Sequence, residues 1–158
     1  MSIDAARTSH IVYRRGALPD VPRMIELMAA ASLPPLFVEE YIEGFIAAEC
    51  DGEIWACGGL EMYGDCGVIR SVVVDEPGRG VGVGRRIAEM LIADAQGAGA
   101  SDLYLFTGDA VEFWKRLGFA EVTFDEWKAA PRMCWQYQFL SQNRDIVGAG
   151  IHTMWRTA

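Results

Sequence analysis

Residues 68–86, Val-Ile-Arg-Ser-Val-Val-Val-Asp-Glu-Pro-Gly-Arg-Gly-Val-Gly-Val-Gly-Arg-Arg, have the types and spacing to hold an anion. The β-branched run Val72, Val73, Val74 reads as the end of a strand, and Asp75-Glu76-Pro77-Gly78 halts it. Alternate glycines (Gly80, Gly82, Gly84) then lead into a helical stretch. The first N–H groups of a helix have no intrahelical acceptor, the dipole favours negative charge there, and glycines let an anion reach the backbone. Pyrophosphate binding is the chemistry this suits. A Walker loop requires Gly-x-x-x-x-Gly-Lys-Ser/Thr, and no Lys-Ser or Lys-Thr pair occurs in the chain. The dinucleotide fingerprint Gly-x-Gly-x-x-Gly has a different glycine spacing and opens a first βαβ unit, whereas this loop lies mid-chain. Arg70, Arg79, Arg85 and Arg86 gather around it. Cations oppose the dipole of a helix N-terminus, so a bound polyanion accounts for them better than a solvated surface does.

A third loop pattern, Arg/Gln-x-x-Gly-x-Gly/Ala after a β-strand, is met at every position by Arg79-Gly80-Val81-Gly82-Val83-Gly84. It resembles the acyl-CoA loop of the GNAT superfamily of N-acetyltransferases. Asp109-Ala110-Val111-Glu112-Phe113-Trp114-Lys115-Arg116-Leu117-Gly118-Phe119 is similar to that superfamily's Ala-x-x-Phe-Tyr-x-x-x-Gly-Phe helix, through Ala110, Phe113, Leu117, Gly118 and Phe119. One helix and one strand separate the two motifs, as the superfamily's fold requires. The resemblance implies an α/β fold in which a central, twisted, mostly antiparallel sheet carries one splayed parallel strand pair and helices on both faces. It implies acetyl-CoA as acyl donor and no metal. Backbone groups of Val72, Val73 and Val74 would pair with the pantetheine arm like an added strand. Arg79 and the N–H groups of Gly80, Val81, Gly82, Val83, Gly84 and Arg85 would hold the pyrophosphate, with Phe113 and Trp114 flanking the thiol end. The likeness runs from Ile11 to Phe124 and is least specific beyond. Residues 1–158 are expected to form a single domain, with a motif core at 66–124 and a variable acceptor-side segment at 125–158.

Acetyl transfer needs a neutral amine, a stabilised oxyanion and a proton for the leaving thiolate. Many superfamily members place a glutamate base where this chain has Val68, and a tyrosine acid where it has Trp114. An indole N–H donates a hydrogen bond but gives up no proton at this pH. Glu61, Tyr63 and Tyr104 are the neighbours that could assist, with water relaying protons. Proximity alone can supply about 7–11 kcal/mol of barrier reduction. Arg70 sits among valines on a strand, where a guanidinium needs an anionic partner. That partner is either a neighbour such as Glu61 or the carboxylate of a substrate. Residues 60–74 and Leu103-Tyr104-Leu105-Phe106-Thr107 look like the matching stretches of amino-acid N-acetyltransferases. They are similar to single-domain relatives of N-acetylglutamate synthase, and to a group associated with arsenic resistance that shares an arginine at the Arg70 position. Phe106-Thr107-Gly108 replaces that group's Leu-Thr-Thr, and residues 133–157 depart further. The expected acceptor is the amine of a small amino acid or amino-acid-like antimetabolite. An aminoglycoside or polyamine acetyltransferase and a non-catalytic acyl-CoA-binding module are the alternatives.

The elements that must position these groups follow from pattern. A chain of 158 residues with 51% hydrophobic content can bury one domain's core. A net charge of −8 argues against nucleic acid and keeps polycation acceptors open. No stretch approaches the roughly 18 apolar residues of a membrane span, and no signal peptide is read at the start, so a cytoplasmic protein is expected. Four cysteines without Cys-x-x-Cys spacing and two histidines suggest neither zinc nor disulfides. Homodimerisation stays open. Strands are expected over 11–15, 45–50, 53–63, 66–75, 102–107, 119–124 and 148–155, with a hairpin turn at Asp51-Gly52. Helices are expected from a cap at Asp20 to Pro34-Pro35, then over 36–42, 83–96 and 109–116; residues 133–140 fit helix or strand. Val68, Arg70, Val72 and Val74 should alternate onto one face. The crossover through 83–96 should set strand 102–107 parallel to 66–75.

Overall fold

The structure, a computed structural model, describes residues 10–147 and 150–158. Among them are seven strands, β1 (Ile11–Arg15), β2 (Phe45–Cys50), β3 (Glu53–Tyr63), β4 (Cys66–Val74), β5 (Asp102–Thr107), β6 (Ala120–Val122) and β7 (His152–Thr157). The α-helices are α1 (Val21–Ala30), α2 (Val83–Gly97), α3 (Val111–Arg116), α4 (Trp135–Gln142) and α5 (Arg144–Val147). The sheet order is β1-β2-β3-β4-β5-β7-β6. The chain forms two compact units, one running up to Leu60 and resuming at Ser71–Leu91, the other made of Glu61–Arg70 and the chain from Ile92 on.

In the first unit β1 and β3 flank β2, both antiparallel to it. Asp51 and Gly52 take φ of 52° and 83°, the left-handed pair whose twist suits a two-residue hairpin. α1 buries Met24, Leu27 and Met28 in a cluster with Phe45, Ala47, Cys57 and Val73. Each such side chain contributes about 1.5–3 kcal/mol. A Cβ on Gly58 would stand 2.8 Å from Ile87 and 3.0 Å from Leu91 and Val72, so α2 lies close on the strands because Gly58 has no side chain. Asp20 does not cap α1 with its side chain. Its carboxylate instead accepts from Arg14 at 2.7 and 2.9 Å and from the Ala17 N–H at 2.8 Å. The expected helix over 36–42 is a series of turns followed by a 3-10 turn at Ile42–Gly44. Phe37, at φ 59°, is incompatible with helix there.

In the second unit the start of β4 runs parallel to β5, from Cys66 opposite Asp102 to Ile69 opposite Leu105. β7 pairs antiparallel with both β5 and β6, so the last strand enters between them. The strand expected over 119–124 is only Ala120–Val122. Of the strand expected over 148–155, residues 148 and 149 lie outside the described residues, and the strand itself is His152–Thr157. Residues 133–140 resolve into a 3-10 turn and α4, whose N-cap is Cys134. Tyr104, Trp127 and Tyr137 form an aromatic core, with Tyr104 and Tyr137 ring centroids 4.5 and 5.2 Å from Trp127.

One polar cluster pins this core. Asp102, at the start of β5, accepts from Trp155 Nε1 at 2.7 Å, from Ser101 Oγ at 2.6 Å and from Lys128 Nζ. Burial pushes the Asp102 carboxyl up, but these three donors outweigh it and hold the group below the usual carboxylate range. Asp102→Asn should lower stability at neutral pH by about 1–3 kcal/mol, the worth of charge-assisted hydrogen bonds to a buried group. A carboxyl depressed by folding stabilises fully above its unfolded value of about 3.9, and that stability goes as pH falls through the folded value. Urea melts of the two proteins are therefore expected to differ at neutral pH and to converge as the pH falls through the carboxyl's depressed folded value.

Candidate active site

β4 leaves the sheet at Val74 and hands the chain to Asp75. The Asp75 N–H donates to Trp55 O at 2.7 Å, and its carboxylate takes the Glu76 N–H at 2.9 Å and Arg23 Nη2 at 2.6 Å. The Glu76 N–H is the main cause holding this carboxyl below its ordinary value; burial opposes it and Arg23 adds to it. A 3-10 turn at Glu76–Gly78 follows, then Gly80 and Gly82 at φ of 77° and 85°, a backbone that L side chains rarely adopt. No heavy atom lies within 4 Å of a Cβ built at either glycine, so this backbone faces open space. The Arg86 N–H donates to Gly82 O at 3.0 Å. The N–H groups of Val83, Gly84 and Arg85 precede that first helical bond and have no intrahelical acceptor, the kind of donors that helix N-termini offer to anions. Arg79 lies beside them with Nε on Val74 O at 3.2 Å, and Arg85 pairs with Glu89 at 2.9 Å in an exposed position.

Val72, Val73 and Val74 close β4. Val73 points into the α1 cluster, while Val72 and Val74 touch the positions where Gly58 and Gly84 lack side chains. Ser71 interrupts the strand at φ 56°, so the two-residue alternation expected from Val68 to Val74 does not carry through it. The parallel ladder with β5 ends two residues earlier, at Ile69.

Arg70 is not a loop cation. Its Nη1 donates to Glu61 Oε2 at 2.9 Å, and its guanidinium carbon stands 5.5 Å from the Trp135 ring centroid. Glu61 is 1% exposed and Arg70 6%. The Tyr63 hydroxyl donates to the other carboxylate oxygen, Oε1. Glu61, Tyr63 and Arg70 thus form one linked set: a buried carboxylate, its counter-charge, and a half-buried hydroxyl. Tyr104 is held differently, with its hydroxyl accepting the Lys128 N–H at 3.2 Å and its ring against Trp127. Burial pushes the Tyr104 phenol above its ordinary value, which does not favour it as a proton source at neutral pH.

Trp114 is packed edge-on between Phe113 and Phe119, with centroids 5.0 and 5.3 Å away. The turn after α3 is closed by Phe119 N–H on Trp114 O at 3.1 Å and Gly118 N–H on Lys115 O at 3.0 Å, with Gly118 at φ 87°. This Schellman pattern explains the glycine that the sequence motif carries. All four cysteines are buried, and burial pushes the thiols of Cys66 and Cys134 up to about 11 and about 12. Those two are poor nucleophiles at neutral pH.

Residues 19–119 match the acetyltransferase (GNAT) family. The chain belongs to that family. The amino-acid acetyltransferase of Neisseria meningitidis serogroup A is 27% identical over 156 residues, covering 93% of this chain and 35% of that protein. The amino-acid acetyltransferase of Mycobacterium tuberculosis is 29% identical over 121 residues, covering 70% of this chain and 69% of that one. The fold is shared with N-acetylglutamate synthase from Neisseria gonorrhoeae complexed with coenzyme A and N-acetyl-glutamate, at a TM-score of 0.77 and 22% identity over 93% of this chain and 35% of that one. Rv2747 from Mycobacterium tuberculosis, solved in complex with CoA, gives a TM-score of 0.76 at 25% identity over 93% and 99% of the two chains. This GNAT chain spans about a third of the length of the Neisseria proteins.

Trp135 and Gln136 were not foreseen. Both lie in the segment where residue pattern fitted helix and strand equally, so the face each presents was unreadable until Cys134 was seen to cap α4, accepting the Tyr137 N–H at 3.4 Å. Among the described residues no helix is long and apolar enough to cross a membrane, and no group of three or more potential metal ligands occurs.

Proposed function

We propose that this GNAT chain, acting as one acyltransferase domain, transfers acetyl from acetyl-CoA to the α-amine of a small amino acid or amino-acid-like molecule. The observation that carries the reading is the loop at Gly80 and Gly82, whose left-handed backbone has open space where side chains would stand and leads into α2 with three N–H groups ahead of its first helical bond. The pyrophosphate sits on those N–H groups with Arg79 and Arg85 beside it, and the pantetheine arm runs along the backbone of Val72, Val73 and Val74. Kinship with amino-acid acetyltransferases supports the acceptor class.

The acceptor's amine attacks the acetyl carbonyl, the N–C bond forms, and the C–S bond breaks with the thiolate as leaving group, which takes up through water the proton that the nitrogen sheds as the tetrahedral adduct collapses. Glu61 takes the ammonium proton, passed through the half-buried Tyr63 hydroxyl that is bonded to it. Arg70 is the counter-charge that positions Glu61, and it supplies the acceptor site with cationic character toward a carboxylate. Trp114 packs the α3 turn and supplies no proton.

An acceptor screen over amino acids, phosphono- and arsono-amino acids, aminoglycosides and polyamines tests this, with thiol release as readout. Amino acids are expected to rank first. Preference for aminoglycosides or polyamines overturns the acceptor class. Acetyl-CoA binding without thiol release from any acceptor makes the chain a binding module.

A further inference from the structure

Arg23, in the first turn of α1, ties that helix to β3 and to the end of β4 at once. Its Nε donates to Ile54 O at 3.2 Å, and its Nη2 donates to Asp75 Oδ2 at 2.6 Å. Glu26, one turn on, accepts from Nη1 at 3.3 Å. Asp75 is the root of the glycine loop. Its Oδ1 takes the Glu76 N–H, and its carbonyl accepts the Gly78 N–H at 3.0 Å, closing the turn that delivers Arg79. A Cβ on Gly78 would stand 3.1 Å from Val74, so this half of the loop is packed down, whereas a side chain at Gly80 or Gly82 would meet nothing within 4 Å. Arg79 lies between the two halves. Its Nε is on Val74 O, and its charge is near enough to the Asp75 carboxylate to favour the ionised form.

We propose that Arg23 is a positioning residue for the cofactor loop: by occupying the Asp75 carboxylate it leaves Arg79 to the pyrophosphate. The inference rests on the acetyl-CoA reading above. A guanidinium and a carboxylate four residues apart across a tight turn pair readily, and that pair would hold Arg79 back from a bound anion. Asp75 is also a negative charge at the root of a loop that receives a polyanion, and Arg23 offsets it. The arginine fork suits the task, because Nη2 on the carboxylate and Nε on Ile54 O fix the guanidinium plane. Both side chains of the pair are half-buried, so the contact adds little to stability, and its worth lies in what it keeps Asp75 from doing.

The test measures acetyl-CoA affinity by calorimetry in the wild type, Arg23→Met, Asp75→Asn and Arg23→Met/Asp75→Asn, with a thermal melt of each. Arg23→Met should weaken binding about tenfold while melting close to the wild type. Arg23→Gln, which retains a donor for Ile54 O but no charge, should lose the same. Asp75→Asn keeps an oxygen for the Glu76 N–H and carries no charge to draw Arg79, so it should bind as the wild type does. The double variant should then regain most of the affinity that Arg23→Met loses. A purely structural brace gives no such rescue, since removing the second partner restores no contact. Undiminished affinity in Arg23→Met and Arg23→Gln overturns the proposal, and so does a double variant that binds as weakly as Arg23→Met. A wild type that binds no acetyl-CoA overturns the acyl-CoA reading itself, and the role of Arg23 with it.

Discussion

Gly82→Asp is expected to abolish acetyl-CoA binding while leaving the fold intact. Gly82 precedes α2 and accepts its first helical hydrogen bond. An aspartate there would bring a negative charge to the N–H groups of Val83, Gly84 and Arg85, where it repels the pyrophosphate they would otherwise hold. The added side chain meets no atom within 4 Å, so nothing in the core is displaced. The backbone at φ 85° is the remaining cost, and aspartate and asparagine tolerate the left-handed region better than other residues do. Gly82→Asn is therefore the control, with the same shape and conformational cost and no charge. Calorimetry on the wild type should show binding near micromolar, about −8 kcal/mol. Gly82→Asp should weaken it at least about 100-fold, or ~2.7 kcal/mol, and Gly82→Asn by much less. Equal losses in the two variants would assign the effect to backbone strain, and undiminished binding in Gly82→Asp would place the pyrophosphate elsewhere.

The glycine loop was legible because its chemistry is written locally. A strand that ends, two glycines whose φ excludes other residues, and a helix that begins all lie within consecutive positions. β1, β2 and β3 were readable for a similar reason, since Gly16, Asp51-Gly52 and Gly64 punctuate apolar runs. What failed was non-local. Nothing in residues 148–155 announces that β7 inserts between β5 and β6, because that pairing is decided by what Leu103, Tyr104 and Leu105 leave uncovered. Residues 36–42 carry a helix-like apolar pattern, yet Pro34-Pro35 and the left-handed Phe37 make turns of them. The alternation read along β4 assumed a regular strand, and Ser71 breaks it. The site divides along the same line. Arg70 and Glu61 lie nine residues apart, and chemistry named Glu61 as one of two partners without deciding between it and a substrate. Trp135 gave no signal of its place against Arg70, since it lies on a segment whose pattern fitted helix and strand alike.

The ion pair between those two residues separates structure from catalysis. Arg70→Met removes the counter-charge of a carboxylate that is 1% exposed, while the Tyr63 hydroxyl still donates to it. Breaking a buried pair from one side typically costs about 3–5 kcal/mol, because the remaining charge has lost its compensation. On a domain of this size that is a fall in melting temperature of roughly 6–20 °C. Glu61→Met should be comparably destabilising, since it strands the guanidinium against Trp135. The double variant Glu61→Met/Arg70→Met strands neither, and replacing a buried pair by apolar side chains of similar volume is often neutral or stabilising. It should regain most of the lost stability, so with single variants costing about 3–5 kcal/mol each the coupling energy in the double-mutant cycle is expected to exceed about 4 kcal/mol. Acetyl-CoA affinity should be near wild type in that double variant, because Arg79 and the α2 N-terminus are untouched. Turnover then discriminates between two roles for Glu61. If it takes the ammonium proton, the folded double variant is inactive near neutral pH, and its activity rises as the medium is made alkaline enough to free the amine without help. If the pair is scaffolding, turnover returns together with stability. A double variant that recovers neither would mean that Tyr63 and Trp135 depend on the charges themselves for their packing, and the pair would then have to be counted as part of the core.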